Sequence, residues 1–573
     1  MTSNIELHSK SNDQSHIEAP ENSTVEETND HSDVTRATVQ LGKVQFVLVY
    51  SALMLAIFLS SLDQTILSTA LKTIVQDLGH QDLIPWIGSS YLLTSASSGA
   101  LYGKMADIFG RKWVFVFAIL VFEIGSLICG ISSSMIALIV GRAIAGVGGG
   151  GISSLVLIII SDIVSIRDRG KYQGFFGAVF GLSSVIAPLI GGGFSDSGLW
   201  RWCFFINLPF GAITVFVVII FLKFPIIEGS IRDKIHRIDF IGALFLFATI
   251  ICFITPLQLG GSVWAWDSAQ VIGMFVGSIV LAAILCYVEV RVASEPIIPP
   301  SIFVNSSVPA LLLIATLFMA TMMSGSYYIS LFYQVVYGDT ATQAGLAALP
   351  IVFGLVLLSV VSGAVVSKTG NYIRFLYFGP IIIVIGIALI ALLDKNSSNA
   401  VKIVYLGLFG IGCGTILQIR TLAIQYSVPR NLIAIATATA QTCSSLGGAI
   451  GIAVTGTVFN NVVENNLSGA AALQSILSKF AANGISVDET NVPGVLDLLQ
   501  ASALNVPNNT AAAALYNATL ANATNEVIDG FTGAFKIGYI CLLPYPVIMF
   551  LLAVFFVRQF DIGSGGDSVP VAE

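Results

Sequence analysis

"GKMADIFGRK", residues 103–112, sets four charged side chains and two glycines in ten residues, between long apolar runs. The rest of the chain is poor in charge: of 573 residues, 55% are hydrophobic and only 10% charged. Soluble domains carry roughly 25% charged residues. A chain this short of charge cannot cover itself with an ordinary wetted surface, so most of it must face lipid. Residues 103–112 then read as a loop between two membrane spans, and the whole as one polytopic membrane body.

Working outward from that loop, a yardstick of ~20 apolar residues per span gives about fourteen spans. Six run over 45–75, 83–103, 113–131, 135–160, 172–193 and 203–224; two over 239–259 and 269–291; six more over 308–336, 344–367, 373–393, 401–425, 432–460 and 534–557. The expected fold class is an all-α polytopic membrane protein of two six-helix bundles and two linking transmembrane helices. The expected units are a disordered acidic cytosolic tail (1–44), an N-terminal bundle (45–224), a linker with two spans (225–307), a C-terminal bundle (308–557) with an extracytosolic loop (461–533), and a cytosolic tail (558–573). The acidic, Ser- and Asn-rich start lacks the early apolar core of a cleaved signal peptide. The repeated half is typical of secondary transporters, with the substrate path between the halves.

Lysine and arginine set the orientation. Lys104, Arg111, Lys112, Arg167, Arg169, Lys171, Arg232, Lys234, Arg237, Lys368, Arg374 and Arg430 crowd the even loops, which places those loops and both termini in the cytosol. The long loop before the last span then lies outside, where the sequons at Asn466, Asn508, Asn517 and Asn522 can be glycosylated. No polybasic segment points to nucleic acid. The seven cysteines fall in or beside apolar runs and the five histidines outside them, without metal-ligand spacing, so neither a metal nor a cofactor is expected. No nucleophile–base pair lies in the spans, and an enzyme is not expected. No Gly-x-x-x-x-Gly-Lys-Ser/Thr occurs, which leaves an ion or substrate gradient as the energy source.

Several residues carry the chemistry. In the opening loop, Gly103, Asp107 and Arg111 are each one helical turn apart, and Asp107 can pair with Arg111. That is more than an orientation signal needs, and reads as a conformational latch. Asp63 is the one acid in the middle of span 1, and burial disfavours an ionised carboxylate. Such a group can hold a proton or a cationic substrate but not both, which is the simplest antiport mechanism; capping a broken helix is the alternative. Glu123 is a second intramembrane acid, with structural pairing as the alternative. Arg142 opens span 4 and must face protein or water, or snorkel to an interface. The glycines of "GVGGGG" (146–151) suit close helix contact, since no strand precedes them to make a nucleotide loop. Gly181, Pro188, Gly191 and Gly192 make span 5 bendable. Gln64, Tyr328, Tyr333, Gln334, Gln418 and Gln425 are candidates to line an organic-ligand cavity, or else face lipid. Arg420 either faces that cavity, favouring anionic substrates or demanding an acid partner, or marks the cytosolic end of span 12.

"GKMADIFGRK" resembles the loop 2–3 signature of the major facilitator superfamily, G-x-x-x-D-x-x-G-R-[KR]. "LDQTILSTAL" (62–71), "GRAIAGVGGGG" (141–151), "GLSSVIAPLIGG" (181–192) and "LWRWCFFINLPFG" (199–211) resemble motifs of its fourteen-spanner drug:proton antiporter branch. Two departures are Ser68 to Lys72 at the end of the span 1 motif, and Ala187 where glycine is usual before Pro188. The resemblance covers roughly 45–560. It implies a major facilitator fold, a fungal-type multidrug efflux transporter, and a part for Arg142 in proton transfer. It adds Gly110 and Lys112 to the latch, and the hinge reading of span 5. The expected activity is proton-driven export of small organic, cationic or amphipathic compounds by a monomer in the plasma membrane. The alternatives are a vacuolar basic amino acid transporter and a nutrient sensor without turnover.

Overall fold

The computed structural model describes residues 41–79, 83–224, 229–260, 264–339, 341–468 and 528–559. The acidic tail before residue 41, most of the tail over 558–573, and the sequons at Asn508, Asn517 and Asn522 lie outside them. Among the described residues the long elements are all helices.

The first six spans comprise α1 (Lys43–Leu78), α2 (Ile84–Phe109), α3 (Arg111–Ile131), α4 (Met135–Ile163), α5 (Arg169–Asp196) and a sixth broken into α6 (Trp202–Phe205) and α7 (Asn207–Phe221). A short helix, α8 (Ile231–His236), leads to the linking helices α9 (Phe240–Leu259) and α10 (Ala269–Arg291). The second set holds α11 (Ser307–Val336), a short α12 (Ala341–Ala347), α13 (Leu349–Thr369), α14 (Ile373–Ile390), the broken pair α15 (Asn399–Leu417) and α16 (Ile419–Tyr426), α17 (Ile433–Ser468) and a last helical span, α18 (Ile528–Phe556). Thirteen of the spans are long and apolar enough to cross a membrane among the described residues. The fourteenth, α2, falls short because Ser89, Ser90, Thr94, Ser95, Ser97 and Ser98 dilute it. It is nonetheless a 26-residue helix in the place expected of span 2. Its hydroxyls bond backbone carbonyls, as Thr94 does to Ala143 (2.8 Å) and Ser98 to Val147 (3.2 Å) on α4.

Lipid and core faces separate at helical spacing. On α3, Trp113, Phe117, Leu120, Ile124, Leu127 and Ile131 form an exposed apolar stripe, while Phe115, Ile119, Phe122, Ser126 and Cys129 are buried. Behind α3 lies α4, and here "GVGGGG" finds its use. A Cβ on Gly148 would lie 2.4 Å from the backbone nitrogen of Phe122 on α3, and one on Gly150 2.3 Å from the carbonyl of Ser95 on α2. Only a bare backbone allows α4 to touch both neighbours at once.

The two sets meet along α2 against α17 and α5 against α13. The contacts gather where the basic loops lie, here called the basic end. Ser359 donates to the carbonyl of Gly174 (2.9 Å), and the Lys171 backbone N–H to Ser367 Oγ (2.9 Å). Gln173 donates to Gln425 Oε1 (3.0 Å), and Tyr426 to the carbonyl of Ile166 (3.0 Å). This end is closed. The linking helix α9 seats Leu246, Ile250 and Ile254 beside Ala96 and Ala100 of α2 and Ala449 of α17, so it lies against both halves.

Candidate proton-coupling site and gate

Asp63 lies on α1 with its side chain fully buried, and accepts a hydrogen bond from Arg142 Nη1 of α4 at 2.5 Å. Its other oxygen accepts from Asn207 Nδ2 of α7 (3.4 Å), whose amide also reaches Ser126 Oγ of α3 (3.2 Å). Arg142 also donates to the carbonyl of Ile87 and lies 4.5 Å from the Tyr91 ring centre. Tyr91 in turn meets Ser60 Oγ at 3.2 Å. The two coupling candidates are therefore one ion pair, held by four helices.

Glu123 stands one turn from Ser126 on α3, against α7. Both its carboxyl oxygens are buried without a hydrogen-bond partner. A Cβ on Gly211 would come within 1.8 Å of Glu123 Oε1, so glycine at 211 makes the space that the carboxyl fills. Gly211 is one turn from Asn207, so a polar strip runs Arg142, Asp63, Asn207, Ser126, Glu123. Buried charge of this kind is costly and is retained where it serves a function.

The loop 103–112 is a joint between α2 and α3. Gly110 has φ +93°, which favours glycine, and it is both the last cap of α2 and the first of α3. Arg111 bonds Asp107 Oδ1 (2.7 Å) and also Asp162 Oδ2 of α4 (2.9 Å). Lys112 donates to the Ile219 carbonyl (2.7 Å), tying α3 to α7. At Gly103 a Cβ would lie 2.6 Å from that of Ala438 on α17, so the first glycine of the motif marks contact between the halves. Lys104 reaches the linker residue Glu295 (2.9 Å), which Arg237 also holds (2.7 Å). Burial works against the Glu295 charge, but the bonds from Arg237 and Lys104 outweigh it and hold the carboxyl below its ordinary range.

In α5 the helix runs unbroken through 181–192, and Gly181 packs on Val356 of α13. Gln64 is exposed and bonds its own helix at the Ser60 carbonyl. Tyr328 and Tyr333 are buried in an aromatic cluster with Phe332, Phe459 and Phe535, and Gln334 bonds the Ser330 carbonyl. Gln418 and Gln425 are buried, and Gln425 joins the closed basic end by accepting from Gln173 of α5. Asn466 is exposed near the end of α17 and donates to the Gly530 carbonyl.

The family model described as Major Facilitator Superfamily matches residues 53–452. The chain belongs to the major facilitator superfamily. The transporter is 36% identical over 436 residues to the MFS-type efflux pump MFS1 of Arthroderma benhamiae, covering 75% of this chain and 81% of that one. It is 36% identical over 435 residues to the efflux pump dotC of Dothistroma septosporum, covering 76% and 75%. Among solved structures, the human organic anion transporter MFSD10 shares the fold: TM-score 0.55 at 15% identity, over 87% of this chain and 99% of that one. The protein is thus a multi-pass membrane transporter of the fungal efflux branch, not an enzyme.

Asn207, Ser126, Asp162, Glu295 and Gln173 were not singled out from the sequence. Asn207 lies inside the quoted motif 199–211, and the only available signal was a lone amide among apolar residues. The others look like ordinary polar residues until the helices are assembled.

Proposed function

We propose that this transporter exports small amphipathic organic compounds, cationic ones among them, in exchange for protons. The halves 45–224 and 308–557 alternate access about a central site, joined by the linker 225–307. The observation that carries the reading is the buried Asp63–Arg142 pair with Asn207 at its side. A proton on Asp63 removes the charge that holds Arg142, so protonation and the ion pair exclude each other. Glu123, reached through Asn207 and Ser126, is the second proton site. Asp107, Gly110, Arg111 and Lys112 with Gly103 latch the cytosolic gate, and Gly181, Pro188, Gly191 and Gly192 let span 5 flex. The relatives' names, efflux pumps, favour export over import or sensing, and export of this kind places the transporter in the plasma membrane rather than the vacuolar one. Glycosylation at Asn466 and in the loop beyond it would fit that membrane, and a glycosidase-dependent mobility shift tests it.

The decisive experiment uses proteoliposomes with an imposed proton gradient. Gradient-driven movement of a cationic dye such as rhodamine 6G is expected, and its uncoupling in Asp63→Asn. No gradient-driven movement of dyes, drugs or basic amino acids would sink the reading. Undiminished coupling in Asp63→Asn would remove Asp63 from it.

A further inference from the structure

Each half carries one buried arginine in its fourth span. In the first half it is Arg142 on α4, 1% exposed. In the second it is Arg420 on α16, 5% exposed, just past the break between α15 and α16. Arg142 meets a carboxylate from the first helix of its half. Arg420 faces the first helix of its own half, α11, in the same manner, but meets there only the carbonyl of Ala315 (3.4 Å) and the ring of Phe318 (4.9 Å). Its other partners are the carbonyl of Leu417 (3.2 Å) and the hydroxyl of Ser444 on α17. All are neutral, and Nη2 bonds none of them. Among the described residues no carboxylate lies within ion-pair distance. None could easily arrive, because α11, α13, α14, α15 and α16 contain no Asp or Glu, and the acids of α17 and α18 are Glu464 and Asp529 at the opposite end.

A buried cation with neutral partners alone is costly, because its lost hydration is not offset by an opposite charge. An arginine's planar fork in such a place suits a planar oxyanion that arrives and leaves. We propose that Arg420 anchors an acidic group, a carboxylate or similar oxyanion, of the transported molecule, so that the substrates include organic acids. The substrate supplies the carboxylate that Asp63 supplies in the other half. This deepens the export reading and rests on it for the transport step.

Carboxyfluorescein and rhodamine 6G share a ring system and differ in charge, which makes them a matched probe pair. In proteoliposomes of the full chain, carboxyfluorescein is expected to move under the proton gradient. In Arg420→Gln the ratio of carboxyfluorescein to rhodamine 6G transport is expected to fall at least tenfold. Arg420→Lys, which keeps the charge but not the fork, should also lower the ratio, and it replaces the glutamine variant if that fails to fold. An unchanged ratio, or wild-type transport of rhodamine 6G alone, overturns the inference. Thermal stabilisation of detergent-solubilised protein by carboxyfluorescein separates the two proposals. If the gradient moves neither dye but Arg420-dependent stabilisation persists, the export reading fails and the anion site stands. If stabilisation is also absent, both fall.

Discussion

Replacing Gly103 by alanine puts a methyl carbon 2.6 Å from the Cβ of Ala438 and 3.0 Å from the carbonyl oxygen of Ala434. The first separation is shorter than Cβ atoms tolerate, and neither partner is the tip of a flexible side chain. The strain can relax only by moving α2 away from α17, and that is the motion that opens the basic end. Overpacking of this kind costs about 1–3 kcal/mol. The open state does not suffer the clash, so the cost appears as a shift of about 5–150-fold toward opening. Spin labels at Trp113 on α3 and Arg374 on α14, exposed at the basic end of the two halves, read the change directly. In wild-type protein the short distance should dominate; in Gly103→Ala a longer population should appear. Adding Ala438→Gly removes the closer contact and should restore most of the short distance. An unaltered distance distribution in Gly103→Ala, or no recovery in the double variant, would show that the contact does not govern the gate.

Three other outcomes are expected. Asp63→Asn leaves Arg142 buried without its counter-charge, so the solubilised protein should lose about 3–5 kcal/mol of stability; Asp63→Asn with Arg142→Gln should recover much of that loss while coupling stays abolished, as read by thermal melting beside transport. Gly211→Ala would come within 1.8 Å of Glu123 Oε1, and the flexible carboxyl must turn away; proton-driven transport should fall severalfold with little change in melting temperature, and unchanged transport would exclude Glu123 from the proton path. The Glu295 carboxyl is held below its ordinary range by Arg237 and Lys104, although burial opposes them. A depressed carboxyl contributes stability that is present above its unfolded pKa and lost as pH falls through the folded one. The Lys104–Glu295–Arg237 strap should therefore stay intact through the pH range where an ordinary glutamate is ionised, and release only at pH below that range; Glu295→Gln should mimic release at pH 7, seen as faster amide exchange at the basic end of α2.

The features legible in the sequence were those set by composition and by the chain's own periodicity. Apolar runs gave the spans because lipid leaves a helix little alternative. The Asp107–Arg111 pair could be seen because one helical turn separates its members, whatever the rest of the fold does. The polar span α2 was found in spite of its serines because the charged loop after it marks an end. Asp63, Glu123 and Arg142 stood out one by one, since charge within an apolar run is costly enough to need a reason.

What the sequence could not supply was who meets whom. Asp63 and Arg142 are 79 residues apart, and Gln173 and Gln425 are 252 apart. Such pairs depend on how each helix is rotated and tilted against its neighbours, which packing decides and local spacing does not encode. Gln425 could thus be taken for a cavity residue until α16 was seen against α5. Arg420 shows the same division. The sequence left it either facing a cavity or marking the end of a span, and only the assembled helices reveal that it lies buried with neutral partners while its counterpart Arg142 has an acid. The sequence by itself determined a multi-span transporter, its loop 2–3 motif and its costly charges; the tertiary structure decided which of those charges pair, as Asp63 and Arg142 do, and which stay without a counter-charge, as Glu123 and Arg420 do, because only packing brings distant helices together.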